Sequence, residues 1–266
     1  MNEMSTIRKG YADTPDGQVH YRALRLREGT PLILLHQTAS SGAMFERLMR
    51  LLGDSFPLLA PDTPGFGASF TPPPNFTIAY LANALYAALR QLGVETCFLF
   101  GHHTGAALAV QMAFDHPGFA RKLVLSGPPL LNEAQKNALQ ASLQPFALAE
   151  DGAHLVQAWQ RIRGRDPALP LETVHREVLL TQSARQAAGR AYQAVFEQPF
   201  GEQLAALPMP VLVMAGENDT LRACLEPAYA LLKQGAMKVI PHQGPYLCDQ
   251  NPQAVADVIR NFLQEA

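Results

Sequence analysis

The chain has 266 residues, 21 basic and 23 acidic side chains, a formal net charge of -2 and 48% hydrophobic residues. That length suits one large α/β domain, the 17% charged content excludes a disordered chain, and the near-neutral balance excludes a protein built on phosphate contacts with nucleic acid. Apolar runs such as Pro31–Leu35 are far too short to cross a bilayer, and Met1–Gly10 carries Glu3, Arg8 and Lys9 without an apolar stretch, so a cytoplasmic protein without membrane contact is expected.

In chain order, Tyr11–Asp13 and Gln18–Leu26 read as two strands joined by the Pro15-Asp16-Gly17 turn. Pro31–His36 is a continuous apolar run, as a strand covered on both faces of a parallel sheet requires. Met44–Leu52 has helical spacing, Phe56–Ala60 is another buried strand, and Thr77–Leu92 is an amphipathic helix stopped by Gly93. Cys97–Phe100, Thr104–Asp115 and Lys122–Ser126 continue the alternation as strand, helix and strand. From Leu131 to Leu207 the pattern is helical only, at Glu133–Ala141, Gly152–Arg163, Leu171–Ser183 and Arg185–Phe196. Pro210–Ala215, a helix through Leu225–Leu232, the strand Met237–Ile240 and a helix at Pro252–Leu263 restore the alternation. Such a pattern predicts an α/β fold with a mostly parallel central sheet of about eight strands and helices on both faces. Residues 1–130 and 208–266 are expected to form the core, and 131–207 a helical lid inserted after the sixth strand. The odd set Cys97, Cys224 and Cys248 reads as reduced thiols.

Four segments then stand in a telling order. His36-Gln37-Thr38 leaves a strand, and Asp62-Thr63-Pro64-Gly65-Phe66-Gly67-Ala68-Ser69 is a turn after the next one. Gly101-His102-His103-Thr104-Gly105 joins a strand to a helix, and Ala215-Gly216-Glu217-Asn218-Asp219 ends a late strand. Over essentially the whole chain this order resembles the α/β-hydrolase fold, in which the first segment helps build an oxyanion hole, the third is the G-x-S-x-G nucleophile elbow and the fourth carries the acid of a catalytic triad. The chain departs from that pattern at two places. His103 stands at the elbow centre, where a nucleophile belongs, and Pro245 stands where the family's base is expected ahead of the Asn251-Pro252 helix start. Gly101 and Gly105 are kept, and histidine is among the residues that tolerate the positive φ of an elbow.

An imidazole reaches farther from the backbone than a serine hydroxyl. His103 is therefore expected to meet Asp219 directly and to act as a general base, with His242 as a second candidate if its loop is rebuilt. Thr104 and Gln37 are the expected oxyanion donors, with His36 and the lid residue Trp159 beside the substrate. Trp159, Phe146, Tyr192 and Phe196 lie at helical spacings suited to packing over a pocket, with core packing the expected role for most of them. Arg161, Arg163 and Arg165 look like an anion site, but Glu150, Asp151 and Asp166 flank them, and a solvated charged face is the plainer reading. His36, His103, His242 and Asp219 include metal-ligand types, yet no tight ligand spacing accompanies them and the family precedent is metal-free, so no metal is expected. No dinucleotide or phosphate-loop fingerprint calls for an organic cofactor. The reading that follows is an enzyme cleaving a small ester, lactone or comparable activated bond by base-activated water, acting on a small molecule as a monomer or homodimer. A serine acyl-enzyme is excluded, because Ser69 and Ser126 lie at other turns. A lyase or cofactor-independent enzyme that uses His103 to abstract a substrate proton, and a non-catalytic binder, are the alternatives.

Overall fold

The computed structural model describes residues 6–25, 29–142 and 147–264, apart from the side chains of Ser142 and Arg185. Glu3, Leu26 and Phe146 lie outside them. The first two strands, β1 (Arg8–Thr14) and β2 (Gly17–Leu24), form an antiparallel hairpin. They are followed by β3 (Leu32–Leu35), α1 (Glu46–Leu52), β4 (Leu58–Pro61), α2 (Ile78–Gln91), β5 (Cys97–His102), α3 (Thr104–Asp115) and β6 (Ala120–Ser126). After a helical stretch come β7 (Val211–Gly216), α9 (Leu225–Ala230), β8 (Gly235–Ile240), α10 (Leu247–Gln250) and α11 (Pro252–Gln264). The eight strands lie in the order β1-β2-β4-β3-β5-β6-β7-β8, with β2 antiparallel to β4 and every later pair parallel.

Every residue of β3, β4 and β7 is buried, as their uninterrupted apolar runs require. Because side chains alternate along a strand, Ile33, Leu35, Leu99 and Val213 face the core under α2 and α3, while Leu32, Leu34, Phe100 and Met214 face the core under α1 and α11. The sheet is thus covered on both sides. Cys97, Cys224 and Cys248 are all buried within this framework.

Between β6 and β7 the chain runs through α4 (Glu133–Ser142), α5 (Ala153–Arg165), α6 (Leu171–Ser183), α7 (Arg185–Glu197) and α8 (Phe200–Ala206). The last of these was not expected from the sequence; it is a seven-residue helix whose Phe200 and Leu204 bury against the core that holds α3. α5 and α6 share a small apolar cluster of their own, Ala158, Ile162, Val174 and Val178, closed by Tyr246 from the core. One ion network ties them down. Arg176 donates from Nη1 and Nη2 to the two carboxylate oxygens of Asp249 at 2.9 and 2.8 Å, and from Nε to Glu177 Oε1 at 2.8 Å. Glu177 also accepts from Ser40 Oγ at 3.0 Å, so a buried acid of α6 is bonded to the loop after β3. Among the described residues no helix is long and apolar enough to cross a membrane.

Candidate active site

His103 occupies the turn between β5 and α3 at φ 51° and ψ -111°. Its N–H donates to the Ser126 carbonyl at 2.8 Å and its carbonyl accepts from Ala106 at 2.8 Å, which fixes the direction of its Cβ. The turn is tight enough that a Cβ at Gly101 would collide with the Gly105 carbonyl, and one at Gly105 with the Leu35 carbonyl. The imidazole Nε2 lies 3.0 and 2.9 Å from Oδ1 and Oδ2 of Asp219. That carboxylate sits in the turn after β7, has no exposed side-chain surface, and accepts a further N–H from Leu221 at 2.8 Å. Burial alone would raise its pKa; the charge and hydrogen bond of His103 outweigh burial and hold it at about 2. An ionised carboxylate only accepts, so Nε2 carries the proton in the neutral ring and Nδ1 keeps the lone pair. No partner of Nδ1 is found among the described residues.

Two neighbours shape this pair. Gly127, at φ 60°, follows β6, and a Cβ there would collide with the His103 ring. His102 stacks on His103 with centroids 4.2 Å apart and is wholly buried. Its Nε2 donates to the Pro245 carbonyl at 2.9 Å, so its Nδ1 accepts from Ser126 Oγ at 3.0 Å. Burial, reinforced by His103, pushes the His102 pKa down to about 3. His102 thus ties the end of β5 to the loop that carries Pro245.

Above His103 lies a cavity of about 580 Å³, walled on the core side by Gln37 and Thr104 and on the helical side by Leu139, Ile162, Tyr192 and Phe196. Thr104 Oγ1 lies 2.8 Å from Thr38 Oγ1 and accepts the Thr38 N–H at 3.4 Å, tying the loop after β3 to the elbow. Tyr192 closes the same loop from above by donating to the Thr38 carbonyl at 3.3 Å. The N–H of Thr104 is the first of α3 and has no intrahelical partner, so it stands at a helix N-terminus beside His103.

Three expected site residues are not brought to the cavity. His242, at φ 58°, has a side chain 90% exposed and pairs with Glu217 outside it, Nδ1 to Oε2 at 3.3 Å. His36 is consumed by the backbone: Nδ1 donates to the Gln37 carbonyl at 2.8 Å and Nε2 accepts the Thr63 N–H at 2.9 Å. Trp159 packs against the α5–α6 cluster, while its neighbour Ala158 faces the cavity. His36, His103 and His242 therefore do not converge. What sequence reasoning missed is Gly127, Thr38 and the cavity-facing Arg161, Arg165 and Glu177. For the arginines a signal existed: residues four apart share a helix face, whereas Arg163 lies on another.

A protein-family model described as alpha/beta hydrolase fold matches residues 30–252, and the chain belongs to this family. The 2-(acetamidomethylene)succinate hydrolase of Mesorhizobium japonicum is 25% identical over 255 residues, which cover 90% of this chain and 91% of that protein. A crystal structure of E-2-(acetamidomethylene)succinate hydrolase matches with a TM-score of 0.80 at 22% identity, over 98% of this chain and 100% of that one. A thermophilic esterase from Thermogutta terrifontis matches with a TM-score of 0.77 at 22% identity, over 97% and 98% of the two chains. These two structural likenesses speak for the fold.

Proposed function

We propose that this protein hydrolyses a small ester, lactone or comparable activated acyl bond, with His103 as general base for water and without an acyl-enzyme. The observation that carries the reading is that His103, on the wall of a cavity, bonds through Nε2 to a buried, ionised Asp219. Nδ1 takes a proton from water as the oxygen attacks the acyl carbon, and the imidazolium so formed is stabilised by Asp219, which stays charged. The Thr104 N–H, with Gln37, stabilises the oxyanion of the tetrahedral intermediate. When that intermediate collapses, the leaving group departs with the proton that Nδ1 holds. Helices 131–207 act as a lid over the reaction, and the 580 Å³ volume suits a small molecule. The Mesorhizobium japonicum relative, named as a hydrolase, supports the reaction class.

The test is turnover of an ester and lactone panel in oxygen-18 water, with intact-protein mass recorded during turnover. One labelled oxygen in the acid product and no covalent adduct are expected. An acylated protein would overturn the mechanism. A cleaved or rearranged product without the label would replace hydrolysis by a lyase reaction, and silence of a well-folded protein across the panel would favour a binder.

A further inference from the structure

The helix α5 sorts its positive charge. Arg161 and Arg165 line the cavity, whereas Arg163 turns out of it and donates from Nη1 to the Leu169 carbonyl at 2.8 Å. Two of the three acids that suggested a solvated face make local bonds: Asp151 accepts the Ala153 N–H at 2.9 Å and Asp166 the Ala168 N–H at 3.0 Å. The carboxylate on the cavity wall, Glu177, is already bonded to Ser40 and Arg176. Arg161 and Arg165 stand one turn apart, where like charges repel. Burial lowers the Arg161 pKa, and the charge of Arg165 lowers it further. Arg165 also acts on the phenols of Tyr192 and Tyr246, pulling both pKa values back against the burial that raises them. Two guanidinium groups and two phenols thus line the same cavity as His103.

We infer that the substrate carries a carboxylate, gripped by Arg161 and Arg165 under the helical wall while its acyl bond lies over His103. Guanidinium forks match a carboxylate in planar geometry, and the adjacent wall of Leu139 and Ile162 favours a singly charged group over a more strongly hydrated phosphate dianion. The second half of the inference, the placing of the acyl bond, rests on the hydrolase reading; the binding of a carboxylate does not.

The test needs no turnover. The chain has 1 tryptophan, Trp159, on the same helix as both arginines, so its fluorescence reports ligand binding, with calorimetry as the second readout. The probes are succinate, glutarate, succinamide and methyl phosphate; the proteins are wild type, Arg161→Gln, Arg161→Lys, Arg165→Gln and Arg163→Gln. Succinate or glutarate is expected to bind wild type and Arg163→Gln alike, and each cavity-side Gln variant to lose roughly 10- to 100-fold in affinity. The folded Arg161→Lys protein should recover part of that loss, because it keeps the charge. Failure of folded wild type to bind either dicarboxylate would overturn the inference. So would succinamide binding equally well, methyl phosphate binding better, or an equal loss in Arg163→Gln. Arginine-dependent binding in a protein that turns nothing over would sink the hydrolase reading and leave the carboxylate site standing.

Discussion

The turn between β5 and α3 and the loop after β8 differ in opposite ways from the pattern that the sequence resemblance implies. In the turn, Gly101, Gly105 and the positive φ of residue 103 supply the backbone frame that the resemblance implies, and the side chain it holds is a histidine. After β8 the expected base is replaced by Pro245, whose carbonyl is bonded to His102, and His242 faces solvent. The imidazole that meets the acid therefore comes from the elbow. A rigid turn aims whatever side chain it holds, so a longer side chain there reaches Asp219. We propose that this relocation, with Gly127 making room for the ring, converts a nucleophile site into a base site.

The comparison breaks most visibly at the acid. Asp219→Asn should lower turnover about a thousand- to ten-thousandfold while the fold persists, because the amide no longer fixes the tautomer or stabilises the imidazolium; steady-state kinetics with circular dichroism reads this. Outside the elbow, Arg176→Ala leaves the buried Asp249 and Glu177 without their cation, and urea unfolding should show a loss of about 3 kcal/mol. Gly127→Ala puts a methyl group into the space of the His103 ring at positive φ, and should cost about 1–3 kcal/mol in thermal unfolding together with most of the turnover.

The smallest effect is on pH. His102 has a native pKa of about 3, below its value in the unfolded chain near 6.5, so the unfolded chain binds protons that the native one does not. Its contribution is present in full above about pH 6.5 and is lost progressively as pH falls toward 3, and buried His36 acts in the same direction. The Asp219 contribution persists lower, lost only as pH falls from about 3.9 through 2. Urea midpoints between pH 7 and 4 should therefore decline, and decline less in His102→Gln; parallel slopes would refute the assignment.

The strands were legible because doubly covered strands need unbroken apolar runs, as in β3 and β7. Their ends were less so: β5 continues through Gly101 and His102 because pairing with Leu125 and Ser126 persists beyond the apolar run. α8 escaped notice because its burial is a tertiary fact, set by packing near α3. Within the site, His103 and Asp219 could be placed because tight turns dictate their direction. His36, His242 and Trp159 could not, since each is turned by partners that sequence position does not reveal: Thr63 and Gln37, Glu217, and the α5–α6 cluster. The flanking acids masked Arg161 and Arg165, although helical spacing alone puts that pair on one face.

The most direct test of the central claim is turnover by His103→Ala, measured beside wild type on a substrate from the panel, with folding checked by circular dichroism. Loss of about a hundred- to ten-thousandfold in a folded protein is the predicted result, the range expected when a general base is removed. A folded His103→Ala protein that keeps the wild-type rate would contradict the account.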